Sequence, residues 1–132
     1  MKSRRSGSPP IERARAVILD FPGVEEGTSY GTPGFKAFGK FLARMKEDGE
    51  TLVVRCGFIE RDLRIEHDPE TFFITDHYRS YPALLIRMKR VRIADLHHII
   101  EVAWRQLAPK RMVHALDERT GRHAPRSGRQ PA

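Results

Sequence analysis

A run of basic residues without any acid lies between His77 and Ala94. Aromatic residues occur among and just before these cations, so positive charge and flat rings lie close together along the chain. Lysine and arginine bind phosphate groups and aromatic rings stack on nucleobases, a combination typical of nucleic-acid binding. The same cations could instead simply keep an exposed surface soluble. The run contains Arg79, Arg87, Lys89, Arg90 and Arg92, and the neighbouring rings are His77, Tyr78 and Tyr81.

A glycine-containing stretch over residues 34–40 has the spacing of a phosphate-binding P-loop. The residue after Lys40 is Phe41, whereas a P-loop needs a hydroxyl there to bind magnesium. Aromatic residues alternate through the stretch, which places its glycines in a β-hairpin and not between a strand and a helix. We therefore interpret residues 34–40 as a hairpin and predict no nucleotide hydrolysis.

Two histidine-containing segments have side chains suited to metal binding or catalysis. His97 and His98 lie one helical turn before Glu101, but no second cluster supplies further ligands, and a solvated helix face explains them. In Asp76-His77-Tyr78 a general base could be oriented by a carboxylate, yet adjacent side chains rarely point at each other. No serine or cysteine nucleophile stands out. We predict no catalytic residue, no metal and no cofactor.

The strands that would carry the cations are predicted from alternating apolar and polar residues. Residues 34–56 alternate about the turn at Asp48-Gly49, and residues 83–89 alternate in the same way. If these strands pair in one sheet, Arg44, Arg55, Arg87 and Lys89 share the face away from the helices. The alternation groups Phe41 with Ala43 and Met45, and Leu42 with Arg44 and Lys46. The facing of Lys36 and Lys40 is left open.

Apolar residues recur at helical spacing in three further segments. The first helix begins near Pro9 and ends before Pro22-Gly23, the second and weaker one covers residues 57–67, and the third covers about 93–108. One more amphipathic turn over 112–116 docks on the domain. The order of elements predicts an α+β two-layer sandwich, with an antiparallel sheet packed against N- and C-terminal helices.

The net charge of +7 comes mostly from the ends of the chain. Residues 1–10 carry three cations and no acid, and residues 117–132 carry four arginines against two acids. The 24 cations and 17 acids of the whole chain therefore leave 17 and 15 for residues 11–116. Basic ends bind phosphates or are simply solvated, so the total charge alone decides little.

Length and composition predict one soluble domain within 132 residues. We assign it to residues 9–116, between a disordered basic tail over 1–8 and a disordered Arg/Pro/Gly-rich tail over 117–132. The single cysteine, Cys56, excludes an internal disulfide and is expected to fill the core. No apolar run is long enough for a membrane span or a signal peptide, so we expect a cytoplasmic protein.

Several separate motifs resemble, in order, those of the MmcQ/YjbR family of small bacterial proteins. They are Phe21-Pro22-Gly23-Val24-Glu25-Glu26, Ser29-Tyr30-Gly31-Thr32-Pro33, Phe35-Lys36, Asp68-Pro69-Glu70-Thr71-Phe72-Phe73, His77-Tyr78, Tyr81-Pro82, Ala103-Trp104-Arg105 and Ala108-Pro109-Lys110-Arg111. The resemblance covers roughly residues 11–112. It implies a frataxin-like (CyaY-like) α+β fold and a proposed "double-wing" DNA-binding role, and it brings no catalytic residues with it.

Two functions from different classes follow. The first is a non-enzymatic DNA-binding protein, with the cationic sheet face and its hairpin loops as wings. The second is a small-ligand or protein-interaction module with a pocket near Tyr30, His77, Tyr81 and Trp104. A flat basic face would favour DNA, and a concave pocket would favour a ligand. The predicted DNA contacts are Lys36, Lys40, Arg44, Arg55, Tyr78, Arg79, Tyr81, Arg87 and Lys89.

Overall fold

Helices at both ends of the chain enclose a run of strands in the computed structural model, which describes residues 8–121. A 3-10 helix, Asp76–Tyr78, precedes the last strand. The main elements are α1 (Pro10–Ile18), β1 (Val24–Ser29), β2 (Thr32–Ala37), β3 (Lys40–Met45), β4 (Thr51–Arg55), α2 (Phe58–His67), β5 (Phe72–Phe73), β6 (Ala83–Arg87), α3 (Ile93–Leu107) and α4 (Lys110–Thr120).

The strands form one sheet in the order β1-β2-β3-β4-β6-β5, and every neighbouring pair is antiparallel. The helices pack against one face of this sheet, so the predicted α+β fold is confirmed. We call the other face the open face. The helix-covered face supplies the core, in which Trp104 is fully buried and donates its indole N–H to the carbonyl of Pro22 at 2.7 Å.

The tight hairpin turns between β1, β2 and β3 each contain a non-glycine residue with positive φ. Tyr30 and Gly31 have φ of 54° and 80°, and Phe38 and Gly39 have φ of 54° and 82°. Two successive left-handed residues form the turn whose twist matches antiparallel strands. The P-loop-like stretch is thus a strand and a hairpin turn, as the alternation predicts.

A β-bulge between β2 and β3 reverses part of the predicted facing. Phe35 pairs with Ala43, but Lys36 already pairs with Phe41, so Leu42 is the extra residue. Leu42 is therefore buried in the core together with Ala43, while Phe41 lies on the open face, 37% exposed. The strict alternation that grouped Phe41 with Ala43 and Leu42 with Arg44 is wrong at these two positions.

The last helix extends past the predicted end of the domain at residue 116. It continues to Thr120, and Asp117 is buried, accepting hydrogen bonds from Arg105 at 2.5 and 3.4 Å. Residues 117–120 therefore belong to the folded unit, because a buried ion pair ties them to α3. The predicted tails over 1–7 and 122–132 lie outside the described residues.

Candidate functional site

The open face of the sheet carries arginine side chains beside apolar ones. Arg44 of β3 lies opposite Val53 of β4, and Val53 lies opposite Leu85 of β6. Arg55 at the end of β4 lies opposite Ala83, the first residue of β6. This confirms the prediction that Arg44 and Arg55 share the face away from the helices.

The segment 75–82 lies across part of this face. Tyr78 packs with Phe73 on a small apolar cluster formed by Val53, Ala83 and Leu85. Tyr78 belongs to the 3-10 helix within this segment, so the segment shields the cluster from water. The segment thereby forms one wall of a depression on the open face.

The buried guanidinium of Arg61, on α2, holds this segment in place. Its Nη1 donates to the carbonyls of Tyr81, Arg79 and Tyr78 at 3.1, 3.2 and 3.5 Å. Arg61 is only 6% exposed, and its plane lies over the ring of Phe58 at 4.9 Å. The carbonyls of Tyr78 and Tyr81 also accept from the backbone N–H groups of Tyr81 and Ala83, so Arg61 adds a second bond to each of them and supplies the donor for the carbonyl of Arg79.

The depression is a cavity of about 820 Å³, which we call the open-face cavity. That volume is within the usual range for ligand sites. The rings of His77, Tyr78 and Tyr81 form one side, with centroids 5.0 to 6.4 Å apart. The complete lining is Tyr30, Lys36, Phe41, Arg44, Glu47, Val53, Arg55, His77, Tyr78, Tyr81, Pro82 and Ala83.

Among the cavity cations, Arg44 is already well bonded. Its Nη2 donates to the Tyr78 hydroxyl at 3.0 Å, and its guanidinium lies 5.3 Å from the ring centre of Tyr30. The Glu47 carboxylate is 3.9 Å away and 64% exposed, so that ion pair is weak. Arg44 therefore shapes the wall of the cavity and keeps limited capacity for a ligand.

The other two cavity cations, Lys36 and Arg55, form no ion pair within residues 8–121, although Glu25 of β1 lies opposite Lys36 in the strand register. The side chain of Lys36 is exposed and makes no hydrogen bond within the described residues. The Nε atom of Arg55 is buried and finds no hydrogen-bond acceptor among the described residues. Buried donors are normally paired, so the unpaired Nε of Arg55 is an uncommon feature beside a cavity.

The remaining predicted DNA contacts lie away from this cavity or are already engaged. Arg79 bonds Asp76 at 2.6 Å, and Lys89 bonds Glu50 at 3.2 Å. Arg87 donates to the carbonyls of Glu70 and Pro69, and it lies over the ring of Phe73 at 4.0 Å. Lys40 pairs across β2–β3 with Ala37, a core residue, so its row belongs to the helix-covered face.

The predicted ligand pocket is partly assembled. Tyr30, His77 and Tyr81 all line the open-face cavity, but Trp104 lies in the core on the opposite side of the sheet. Trp104 contacts Phe21 and Phe38 there, so including it in the pocket was wrong. Sequence reasoning missed Phe41, hidden by the bulge, and Arg61, which no motif marks.

The other sequence motifs have structural explanations. Glu101 is not on a solvated face: it is 5% exposed and bonds Arg105 at 2.9 Å, with His97 3.9 Å away. No group of three potential metal ligands occurs among the described residues. Within residues 8–121, no helix is both long and apolar enough to cross a membrane.

Cys56, adjacent to Arg55, is a core residue. Its burial, reinforced by the nearby carboxylate of Glu60, raises the pKa of the thiol to about 11. A protonated thiol is a poor nucleophile, so Cys56 adds no reactive group beside the cavity.

Comparisons with known proteins place these features in a family. The family model described as YjbR matches residues 19–106. Uncharacterized proteins of Mycobacterium tuberculosis and Mycobacterium bovis are 37% identical over 57 residues, which is 43% of this chain and 44% of theirs. The chain thus aligns with less than half the length of these relatives. The crystal structure of Deinococcus radiodurans protein DR2400, with the family-model domain DUF419, has a TM-score of 0.63 at 14% identity, covering 95% of this chain and 99% of that one.

The class of protein is an α+β two-layer domain with helices on one face of an antiparallel sheet. The likeness to DR2400 supports this fold over nearly the whole chain. The chain belongs to the YjbR family, whose model matches two thirds of its length.

Proposed function

We propose that this chain is a DNA-binding protein whose open-face cavity receives part of the nucleic acid, with Lys36 and Arg55 contacting phosphate. The observation that carries the proposal is that one cavity of the described residues combines two cations that form no ion pair, Lys36 and Arg55, with exposed aromatic rings. Proteins that bind single-stranded nucleic acid combine these two features, with cations along the backbone and rings on which bases stack.

The charge balance inside the cavity favours an anion. The residues that line the cavity include three cations, Lys36, Arg44 and Arg55, and one carboxylate, that of Glu47, which is largely exposed. A second carboxylate, that of Glu25, lies opposite Lys36 in the β1–β2 register, outside the lining. A phosphate oxygen that displaces the groups covering Nε of Arg55 would satisfy this buried donor. Hydrogen bonds to charged groups contribute about 1.5 to 3 kcal/mol each, so the loss of one such contact should weaken binding about tenfold or more.

The remaining predicted contacts take a smaller part in this proposal. Arg79, Arg87 and Lys89 would have to exchange existing partners for phosphate, and such exposed contacts add little. Lys40 lies beside the β2–β3 turn, where it could meet a phosphate beyond the cavity. Tyr78 and Tyr81 supply ring surface.

A second candidate is a small anionic ligand with a planar ring. The concave shape and the volume of about 820 Å³ favour it, because flat surfaces suit duplex DNA better than pockets do. The same cations and rings would hold such a molecule. The two candidates differ in whether binding needs a nucleic-acid strand.

Fluorescence anisotropy of a labelled oligonucleotide tests the proposal with the full chain and two pairs of matched variants. Lys36→Gln and Arg55→Gln should each weaken binding about tenfold. Lys110→Gln and Arg111→Gln make the same chemical changes on α4, in the helix layer, and should leave affinity unchanged. Equal losses in both pairs, or no binding by the wild-type chain, would contradict the proposal.

A further inference from the structure

We infer that the open-face cavity takes one unpaired nucleotide unit, with its base stacked on the aromatic cluster of His77, Tyr78 and Tyr81. This inference rests on the proposed function and specifies it: the preferred form of DNA is single-stranded. The cavity geometry, and not the total charge of the chain, carries the argument.

The rings of the cluster are arranged so that one remains available. Tyr78 is half-buried, packs on the apolar cluster of Val53 and Leu85, and accepts a hydrogen bond from Arg44. His77 meets Tyr78 edge-on, at an interplanar angle of 88°. Tyr81 is 55% exposed at the outer side, so its ring offers surface to an incoming base.

A second ring stands across the cavity in a backbone conformation that is unfavourable for a tyrosine. Tyr30 has φ of 54° and is 85% exposed, although a bulky side chain rarely occupies a left-handed turn position. The hairpin turn requires this conformation, and Phe38 adopts it in the next turn as well. The Arg44 guanidinium lies over Tyr30, so the ring is directed towards the cavity wall.

Paired bases cannot use this arrangement. In a duplex the flat faces of the bases are stacked on one another, and only their edges reach the grooves. Rings inside a concave cavity can meet a base face only when the base has left the stack. The phosphate next to that base would then lie near Lys36 and Arg55, which line the same cavity.

Competition binding with the full chain separates the possibilities. The probes are a labelled deoxythymidine oligonucleotide of about 12 residues, the duplex that it forms with the complementary deoxyadenosine oligonucleotide, and free thymidine monophosphate. We expect the single strand to bind at least tenfold more tightly than the duplex. Tyr81→Leu should weaken single-strand binding about 5-fold to 100-fold, and Tyr81→Phe, which keeps the ring, should retain the affinity.

The outcomes separate failure of the single-strand inference from failure of the proposed function. Duplex binding as tight as single-strand binding, with Tyr81→Leu unaltered, would overturn the inference and leave the phosphate contacts of the proposed function standing. No binding by any oligonucleotide or by the monophosphate would overturn both. If the free monophosphate competes as well as the single strand, the cavity is a nucleotide site whose ligand is the free nucleotide. If it competes more weakly, the ligand is the single strand.

Discussion

Arg55 carries the least satisfied group of the open-face cavity. It extends from the end of β4, opposite Ala83, so it lies where the sheet meets the segment 75–82. Its Nε is shielded from water without a protein acceptor among the described residues. An arrangement of this kind costs free energy in the unbound protein, and a bound anion would recover it.

The buried thiol of Cys56, the next residue, should make the stability of the protein depend on pH. Its thiol has a folded-state pKa of about 11 against an ordinary value of 9.0. Stability from the protonated thiol is fully present below pH 9 and is lost as pH rises through 11, because the unfolded chain ionises first. Over that window the wild-type chain should lose about 2 kcal/mol more than Cys56→Ala does. Urea unfolding at pH 8 to 11 measures the difference; parallel curves for the two chains would refute the prediction.

Helix α2 supports the aromatic side of the open-face cavity without lining the cavity itself. Arg61 is buried and donates to three carbonyls of the segment that carries His77, Tyr78 and Tyr81. Arg61 therefore holds the backbone that carries the aromatic cluster, although no residue of α2 lines the cavity.

Replacing Arg61 by Gln should cost about 3 kcal/mol of unfolding free energy, because the hydrogen bonds from one buried guanidinium to three carbonyls are lost together. Single-strand binding should weaken as well, since the rings lose their support. Arg64→Gln is the matched control on α2: its bond to Glu60 at 3.3 Å is partly exposed, so it should cost less than 1 kcal/mol. Urea denaturation and anisotropy measure both effects. Equal costs for the two variants would argue against a positioning role for Arg61.

The elements were predictable from the sequence to different degrees. Alternation and turn residues predict the hairpins, and helical spacing predicts α1, α2 and α3, because these patterns reflect local backbone geometry. The bulge at Leu42 was not predictable, because the two neighbouring apolar residues Phe41 and Leu42 do not reveal which of them faces the core. The extra residue in β3 moves Phe41 to the open face. Trp104 was misplaced because an aromatic residue beside an apolar stripe fits either a core or a pocket, and only the packing of α3 decides.

In the whole molecule, most of the net positive charge lies at the ends of the chain and not around the open-face cavity. The chain carries +7, but residues 11–116 contribute only +2, and many cations of the described part are paired with acids. Total charge therefore attracts anions without directing them to a site. In the proposed function the open-face cavity supplies that direction, so the contribution of its cations to binding must be separable from the contribution of the chain ends.

The salt dependence of single-strand binding makes this separation most directly. The affinity of the wild-type chain should fall linearly with salt on logarithmic axes, and Lys36→Gln/Arg55→Gln should reduce the slope by about 1.4, because each phosphate contact on a single strand contributes about 0.7. The control Lys110→Gln/Arg111→Gln should keep the wild-type slope. A slope that is unchanged when both cavity cations are removed would contradict the account and assign the binding to cations elsewhere on the chain.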